Sequence, residues 1–320
     1  PRAAGALLLI FHVVTQWGFY GSLMARDGAD AYRSPEINTV AKAGSRVVHA
    51  QVSRLPGWNA VVNSWDNESA AVLAERSADS LYPFVGVASG LRYELNPSPE
   101  GLDSYFTYLA RDAVQKAPPQ QRVELLRMWG IEGLIGRPGL KVPGLDQGTA
   151  VGGMEIASYY SVANPVPEIR VVGDIVGAAG PRDALDAMLG GSFRPEESVV
   201  LAGEDSLAAG SSPLRWKTIR RSDDEILVEV ESGAPSALVV QRTYQPVYRA
   251  SVDDEMVPVL VADLHRTAVR VPAGARRVRL WIDRSPLRWA YGVASLAGLA
   301  VLSLALLGRR SAAAPGKPVL

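Results

Sequence analysis

The chain has 320 residues and a formal net charge of zero, with 48% hydrophobic and 21% charged residues, so most of it is expected to fold. This balance gives no reason to expect nucleic acid as a partner, and the pairs Arg220-Arg221 and Arg276-Arg277 are too small to form a phosphate-binding surface. The absence of cysteine excludes disulfides, thiolate metal sites and cysteine nucleophiles.

The first predicted element is a transmembrane helix over residues 1–25. Residues 3–24 contain no Asp, Glu, Lys or Arg, and about 20 residues of helix span a bilayer core. His12 and Gln16 lie four positions apart, so they share one polar face of this helix. That face either packs against further transmembrane helices of the same parent protein or lines a substrate path.

Residues 26–140 are predicted to form a small extracytoplasmic α/β domain. Pro118 and Pro119 end one of its helices and Gly130 ends another. Residues 141–153, rich in Gly and Pro, are predicted to be a linker. The predicted elements of the domain, in chain order, are a strand over 46–52, helices over 69–76, 102–116 and 120–129, and a strand over 131–135.

Residues 154–287 are predicted to form an extracytoplasmic, mainly β domain, because short strands recur with turn residues between them. Asp223-Asp224 and Asp253-Asp254 fall between strands, where adjacent acids either form turns or bind a cation. One helix is predicted over 181–189, and the predicted strands cover 169–172, 199–202, 225–231, 237–244, 248–252, 257–261, 267–271 and 276–282.

A second transmembrane helix is predicted over residues 288–308, because residues 289–307 carry no charge. Arg309 and Arg310 follow at once, so the positive-inside rule places the tail, 309–320, in the cytoplasm and residues 26–287 outside. The predicted fold class is therefore membrane-anchored α+β: a small α/β layer, then a β-sandwich or jelly-roll-like module, flanked by two transmembrane helices. The predicted location is a bacterial cell membrane.

The candidate substrate-binding residues are Trp58, Arg92, Tyr93 and Tyr105. Sugar-binding sites place aromatic rings against the apolar face of a sugar, and charged or amide groups against its hydroxyls. Core packing explains buried aromatic residues equally well. These four residues therefore have two open interpretations, as a sugar site or as parts of the core.

The sequence predicts no catalytic residue, no metal site and no cofactor. His12, His49 and His265 are far apart in the chain, and no carboxylate lies at ligand spacing from them. The sequence also contains none of the glycine-rich phosphate-binding motifs and no nucleophile elbow.

An ordered series of stretches runs through the chain, at residues 34–48, 81–93, 105–109, 126–135, 244–261, 267–274 and 278–281. This series resembles the C-terminal part of the YfhO-like bacterial membrane proteins, which are multi-spanning and related to glycosyltransferases that use lipid-linked sugars. Two stretches depart from the family pattern, because residues 244–248 lack its tryptophan and residues 164–170 separate its Pro-Arg pair.

The resemblance implies transfer of sugar from a polyprenyl-phosphate donor to a cell-envelope polymer, with the catalytic carboxylate in a loop that would precede Pro1. It also implies the lipid bilayer and further helices of the parent protein as partners. The alternative is a non-enzymatic, membrane-anchored envelope protein that displays a carbohydrate- or protein-binding module.

Overall fold

The structure is a computed structural model that describes residues 41–58, 90–96, 104–151, 156–203, 206, 214–231 and 233–312. The chain divides into two compact units, one of Ala29–Ile282 and the other of Pro1–Gly28 with Asp283–Leu320. The predicted transmembrane helix over 1–25, with His12 and Gln16, lies outside the described residues, as does the predicted helix over 69–76.

The first sheet has five strands in the order β2-β1-β3-β5-β4. β1 is parallel to β2 and β3, whereas β5 is antiparallel to β3 and β4. β4 lies within the predicted linker. The strands are β1 (Arg46–His49), β2 (Arg92–Tyr93), β3 (Gly133–Gly136), β4 (Thr149–Val151) and β5 (Ala157–Ser161), and helices α1 (Tyr105–Lys116) and α2 (Pro119–Met128) precede β3 in the chain.

The second sheet has six strands in the order β6-β11-β15-β14-β8-β7. The helix α3 (Pro181–Leu189) connects β7 to β8, which are parallel neighbours. The strands are β6 (Ile169–Val172), β7 (Asp174–Ala178), β8 (Ser198–Ala202), β11 (Ser236–Thr243), β14 (Val259–Ala262) and β15 (Arg266–Val271).

The third sheet is antiparallel, with five strands in the order β13-β12-β16-β10-β9. The strands are β9 (Arg215–Arg221), β10 (Glu225–Glu231), β12 (Tyr248–Val252), β13 (Glu255–Val257) and β16 (Arg277–Ile282). The remaining described helix, α4 (Ser285–Ala312), belongs to the other unit.

Two hydrophobic cores dominate the Ala29–Ile282 unit. In the first, Trp129, Leu126 and Leu134 are fully buried between the helices and the first sheet. In the second, side chains of the second and third sheets pack together, among them Val228 and Leu238. Burying each large apolar side chain contributes about 1.5–3 kcal/mol, so both clusters stabilise the unit.

Several predicted elements match the structure. β6, α3, β10 and β12 have the predicted bounds. The predicted strand over 257–261 is instead divided at Pro258, which has no N–H to donate to a ladder. The chain changes sheets at this residue, because β13 pairs in the third sheet and β14 in the second.

The predicted fold class, a membrane-anchored α+β chain flanked by two transmembrane helices, is wrong. The described part of the chain is mainly β, with three sheets and four helices. In that part, none of the helices has both the length and the apolarity needed to cross a membrane.

The uncharged run that suggested the second span lies in α4. This helix has 28 residues and includes Arg288, Arg309 and Arg310. Charged residues therefore lie within both ends of the helix that contains the run, and the prediction of a second transmembrane span is corrected together with the fold class.

Candidate functional site

An open polar cleft lies where the three sheets of the Ala29–Ile282 unit meet, and we call it the arginine cleft. Its volume is about 220 Å³. The first sheet contributes two arginines, the end of β11 contributes three consecutive residues, and the β9–β10 turn contributes an acid. The lining residues are Arg46, Arg92, Glu94, Glu168, Asp223, Gln241, Arg242, Thr243 and Tyr248.

Glu168 is the central carboxylate of the cleft. Its Oε1 atom lies 3.4 Å from Nη2 of Arg242 and 3.7 Å from Nη1 of Arg92. Its Oε2 atom pairs with Arg221. This carboxylate lies directly before β6 and therefore forms ion pairs with arginines from three strands, β2, β9 and β11.

Arg242 fixes the turn between β9 and β10. Its Nη1 atom donates to the carbonyl oxygen of Asp223 at 2.7 Å, and its Nη2 atom donates to the carbonyl oxygen of Ser222 at 2.7 Å. The Ser222 hydroxyl accepts from the backbone N–H of Glu225 at 3.0 Å. The backbone of this rim turn is thus held from both sides.

Arg92 lies at the rim of the cleft, with 41% of its side chain exposed. Its Nη2 atom donates to Oδ1 of Asp223 at 2.6 Å. The Asp223 side chain is 84% exposed. The outermost ion pair of the cleft is therefore largely in solvent, unlike the contacts beneath it.

Arg46 and Gln241 form the floor of the cleft. Nη1 of Arg46 donates to the Gln241 carbonyl oxygen at 3.2 Å, and Nε2 of Gln241 donates to the Met128 carbonyl oxygen at 3.2 Å. Gln241 is 1% exposed, and its Oε1 atom has no hydrogen-bond partner within the described ranges. Burial, and then the charge of Arg266, lowers the pKa of Arg46 from its ordinary value to about 10, so this guanidinium stays charged at neutral pH.

Arg266 lies behind the floor and is fully buried. Its Nη1 atom donates to Oε2 of Glu94 at 2.8 Å, and its Nη2 atom donates to the Trp129 carbonyl oxygen at 2.6 Å. With it, the described ion-pair network joins five arginines to four carboxylates, whereas the cleft itself is lined by three of each, so the charges of its lining balance. The arginines are Arg46, Arg92, Arg221, Arg242 and Arg266, and the carboxylates are Glu94, Glu132, Glu168 and Asp223.

Tyr248 adds an aromatic ring to the wall of the cleft. Burial raises the pKa of its hydroxyl, an effect that Arg242 partly offsets, so the hydroxyl remains protonated at neutral pH. The cleft thus combines charged, amide, hydroxyl and aromatic groups.

The structure does not bring the four predicted substrate-binding residues together. Arg92 lines the arginine cleft. Tyr93, its neighbour on β2, points to the opposite face and packs against a separate core cluster, where burial raises its pKa. Trp58 is 4% exposed. The Cζ atom of Arg122 lies over the Trp58 ring, 4.5 Å from the centre of that ring. Tyr105 is 62% exposed on α1 and lines a different surface depression.

Sequence reasoning missed Glu168, Gln241 and Arg242. Gln241 and Arg242 lie inside a strand whose pattern indicates packing rather than binding. A signal was present at the end of that strand, because its first part is mostly apolar and its last three residues, Gln241, Arg242 and Thr243, are polar. Consecutive polar residues at the end of a buried strand suggest an exposed or liganded strand end.

Neither described histidine lies in a metal site. In the ranges that the structure describes, no group of three or more His, Asp or Glu side chains is arranged to hold a metal ion. His265 is fully buried and its ring packs edge-on against Trp129, with ring centres 4.6 Å apart. His265 therefore belongs to the core.

Comparison of the chain with protein-family models, curated proteins and solved structures finds no match. The resemblance to the YfhO-like family stays a prediction.

Proposed function

We propose that the Ala29–Ile282 unit is a carbohydrate-binding module whose site is the arginine cleft. One observation carries this proposal. The open arginine cleft is lined by the partly exposed guanidinium group of Arg92 together with the side chains of Thr243 and Tyr248. Polar groups around an aromatic ring suit a ligand that carries both hydroxyl groups and apolar faces.

The other groups of the cleft suit a sugar. Sugar hydroxyls both donate and accept, so they bind best to side chains that present several polar atoms in a fixed plane. The partly exposed guanidinium group of Arg92 presents such a fork, and the wall contains the Thr243 hydroxyl and the Tyr248 ring. Tyrosine offers an apolar face together with a polar hydroxyl group.

The size of the cleft limits what it holds. Sites for drug-sized ligands have volumes of about 300–1,000 Å³, whereas the arginine cleft has about 220 Å³. This volume suits one sugar unit, and the open rim allows a longer chain to continue outside. A polymer of the cell envelope is therefore the proposed ligand class.

Glycosyl transfer from a polyprenyl-phosphate donor stays a prediction, as does the extracytoplasmic location. The arginine cleft supports the binding of a saccharide, which both an acceptor-binding domain of a glycosyltransferase and a non-enzymatic envelope module would perform. We favour the binding module, because the groups that line the cleft can bind a sugar and binding is all that such a module requires.

The test is affinity electrophoresis of the protein in gels that contain neutral or acidic polysaccharides. At least one polysaccharide should retard the wild-type protein. Arg92→Gln should weaken that retardation at least tenfold, since a hydrogen bond to a charged group contributes about 1.5–3 kcal/mol.

The matched control is Arg279→Gln. The Arg279 side chain is 48% exposed and is also ion-paired, with Glu225 at 2.7 Å, but it does not line the cleft. Equal mobility of the wild-type protein in every gel, or equal weakening by both substitutions, would refute the proposal.

A further inference from the structure

The Asp223 side chain occupies a position that a ligand group can take. Its carboxylate accepts from Nη2 of Arg92 at 2.6 Å, yet 84% of the side chain is exposed. Its backbone is held independently, because Arg242 donates to the carbonyl oxygens of Ser222 and Asp223. Rotation of the Asp223 side chain therefore frees the Nη2 atom of Arg92 without moving the turn.

This rotation has a small cost. Ion pairs between exposed side chains contribute little to stability, because water and salt screen them. The ion pairs around Glu168 are different, since only 10% of that side chain is exposed. Among the acids that line the cleft, Asp223 is thus the one that an incoming anion most easily replaces.

The exchange replaces one carboxylate on Arg92 by another. A ligand carboxylate on Arg92 would keep the charge pairing that Asp223 provides at this position. Arg92 already binds a carboxylate oxygen with good geometry, so the structure shows which chemical group fits this position.

We propose, on the basis of the proposed carbohydrate-binding function, that the ligand is an acidic saccharide whose carboxylate replaces Asp223 on Arg92. The sugar ring then lies in the cleft against Thr243 and Tyr248. Asp223 acts as an internal competitor, because it neutralises Arg92 when the cleft holds no ligand. It therefore weakens the binding of acidic sugars more than the binding of neutral sugars.

The experiment is isothermal titration calorimetry of the full chain with tetragalacturonate and, separately, with its methyl ester, which has the same sugar units without the negative charges. The wild-type protein should bind the acid at least tenfold more tightly than the ester. Asp223→Asn should tighten the binding of the acid about three- to tenfold, because the competing carboxylate is gone.

Asp224→Asn is the matched control. It removes the same charge from the same turn and leaves the Asp223–Arg92 ion pair in place, so it should change the affinity for the acid less than twofold. Arg92→Gln should abolish the difference between acid and ester. All three variants alter side chains that are exposed or partly exposed, and circular dichroism checks that each is folded.

The outcomes separate this inference from the proposed function. Equal affinity for acid and ester, or equal effects of Asp223→Asn and Asp224→Asn, would overturn the exchange at Arg92. Retardation by a neutral polysaccharide with no binding of tetragalacturonate would also overturn it while supporting the proposed function. Absence of binding to every saccharide would overturn both.

Discussion

At the scale of single residues, Arg266 is a buried charge that depends on its partners. Arg266 is fully buried and donates to Glu94 and to the Trp129 carbonyl oxygen. Breaking a buried pair by removing one partner leaves an uncompensated charge and costs about 3–5 kcal/mol.

We therefore expect Arg266→Met to lower the free energy of unfolding by about 3–5 kcal/mol, measured by urea denaturation. The control is Arg220→Gln, because the Arg220 side chain is 65% exposed in its pair with Glu225 and such pairs contribute about 0–1 kcal/mol. Similar losses from the two substitutions would show that burial does not set the contribution of these pairs.

His265 makes the stability depend on pH. Burial, and then the charge of Arg266, lowers its pKa below the ordinary value of 6.5. An unfolded histidine takes up a proton as the pH falls below about 6.5, whereas the folded one does not. The unfolded state then binds more protons, so stability is present above this pH and is lost as the pH falls through it.

Between pH 7.5 and pH 5.5 we expect the wild-type protein to lose about 1.4 kcal/mol more stability than His265→Phe, from the linkage relation for one group. Urea denaturation at the two pH values measures both losses. Phenylalanine retains an aromatic ring against Trp129, and groups other than His265 titrate in both proteins. Equal losses would mean that His265 is protonated in the folded state.

At the scale of elements, Gly130 positions the floor of the arginine cleft. It follows α2 with a φ of +64°, and a Cβ atom there would lie 2.5 Å from Nη2 of Arg46 and 2.5 Å from the Val166 carbonyl oxygen. Gly139 has a similar φ of +73°, but a Cβ atom there meets no atom within 4 Å.

Both Gly130→Ala and Gly139→Ala should incur the left-handed strain of about 1–2 kcal/mol. Gly130→Ala should cost at least about 1 kcal/mol more, because Arg46 must also move. Thermal unfolding of the two variants measures this difference. A larger loss for Gly139→Ala would show that the α2 end is more adaptable than its contacts indicate.

Elements with a local pattern were predictable from the sequence, and the cleft was not. The alternation of β10 and the Pro and Gly residues around α3 are local features, so both elements have their predicted bounds. The floor of the cleft depends on Arg46 and Gln241, which are 195 positions apart. Arg92 was identified as a candidate, but its partners Glu168 and Asp223 depend on the pairing of strands that periodicity alone does not specify.

At the scale of the whole molecule, polar contacts cross the boundary between the two predicted extracytoplasmic domains. Nη1 of Arg46 donates to the Gln241 carbonyl oxygen, and Nε1 of Trp129 donates to the Asp263 carbonyl oxygen at 2.9 Å. The first sheet itself contains strands from both sides of the predicted linker. These shared contacts couple the stability of the two halves.

We therefore expect the Ala29–Ile282 unit to unfold in one cooperative transition. Differential scanning calorimetry of the full chain should give a main transition whose calorimetric and van't Hoff enthalpies agree. Arg266→Met should move this transition to lower temperature without dividing it. Two transitions, of which Arg266→Met shifts only one, would show that the halves fold independently.

The most direct test of the central claim, that the arginine cleft is a saccharide site, is to locate the bound ligand by amide NMR shifts. Titration with the polysaccharide fragment that retards the protein most should shift the amides of Glu94, Thr243 and Tyr248, which line the cleft. The amide of Arg276, which lines a separate depression, should not move. Shifts at Arg276 with none at the three cleft residues would contradict the claim.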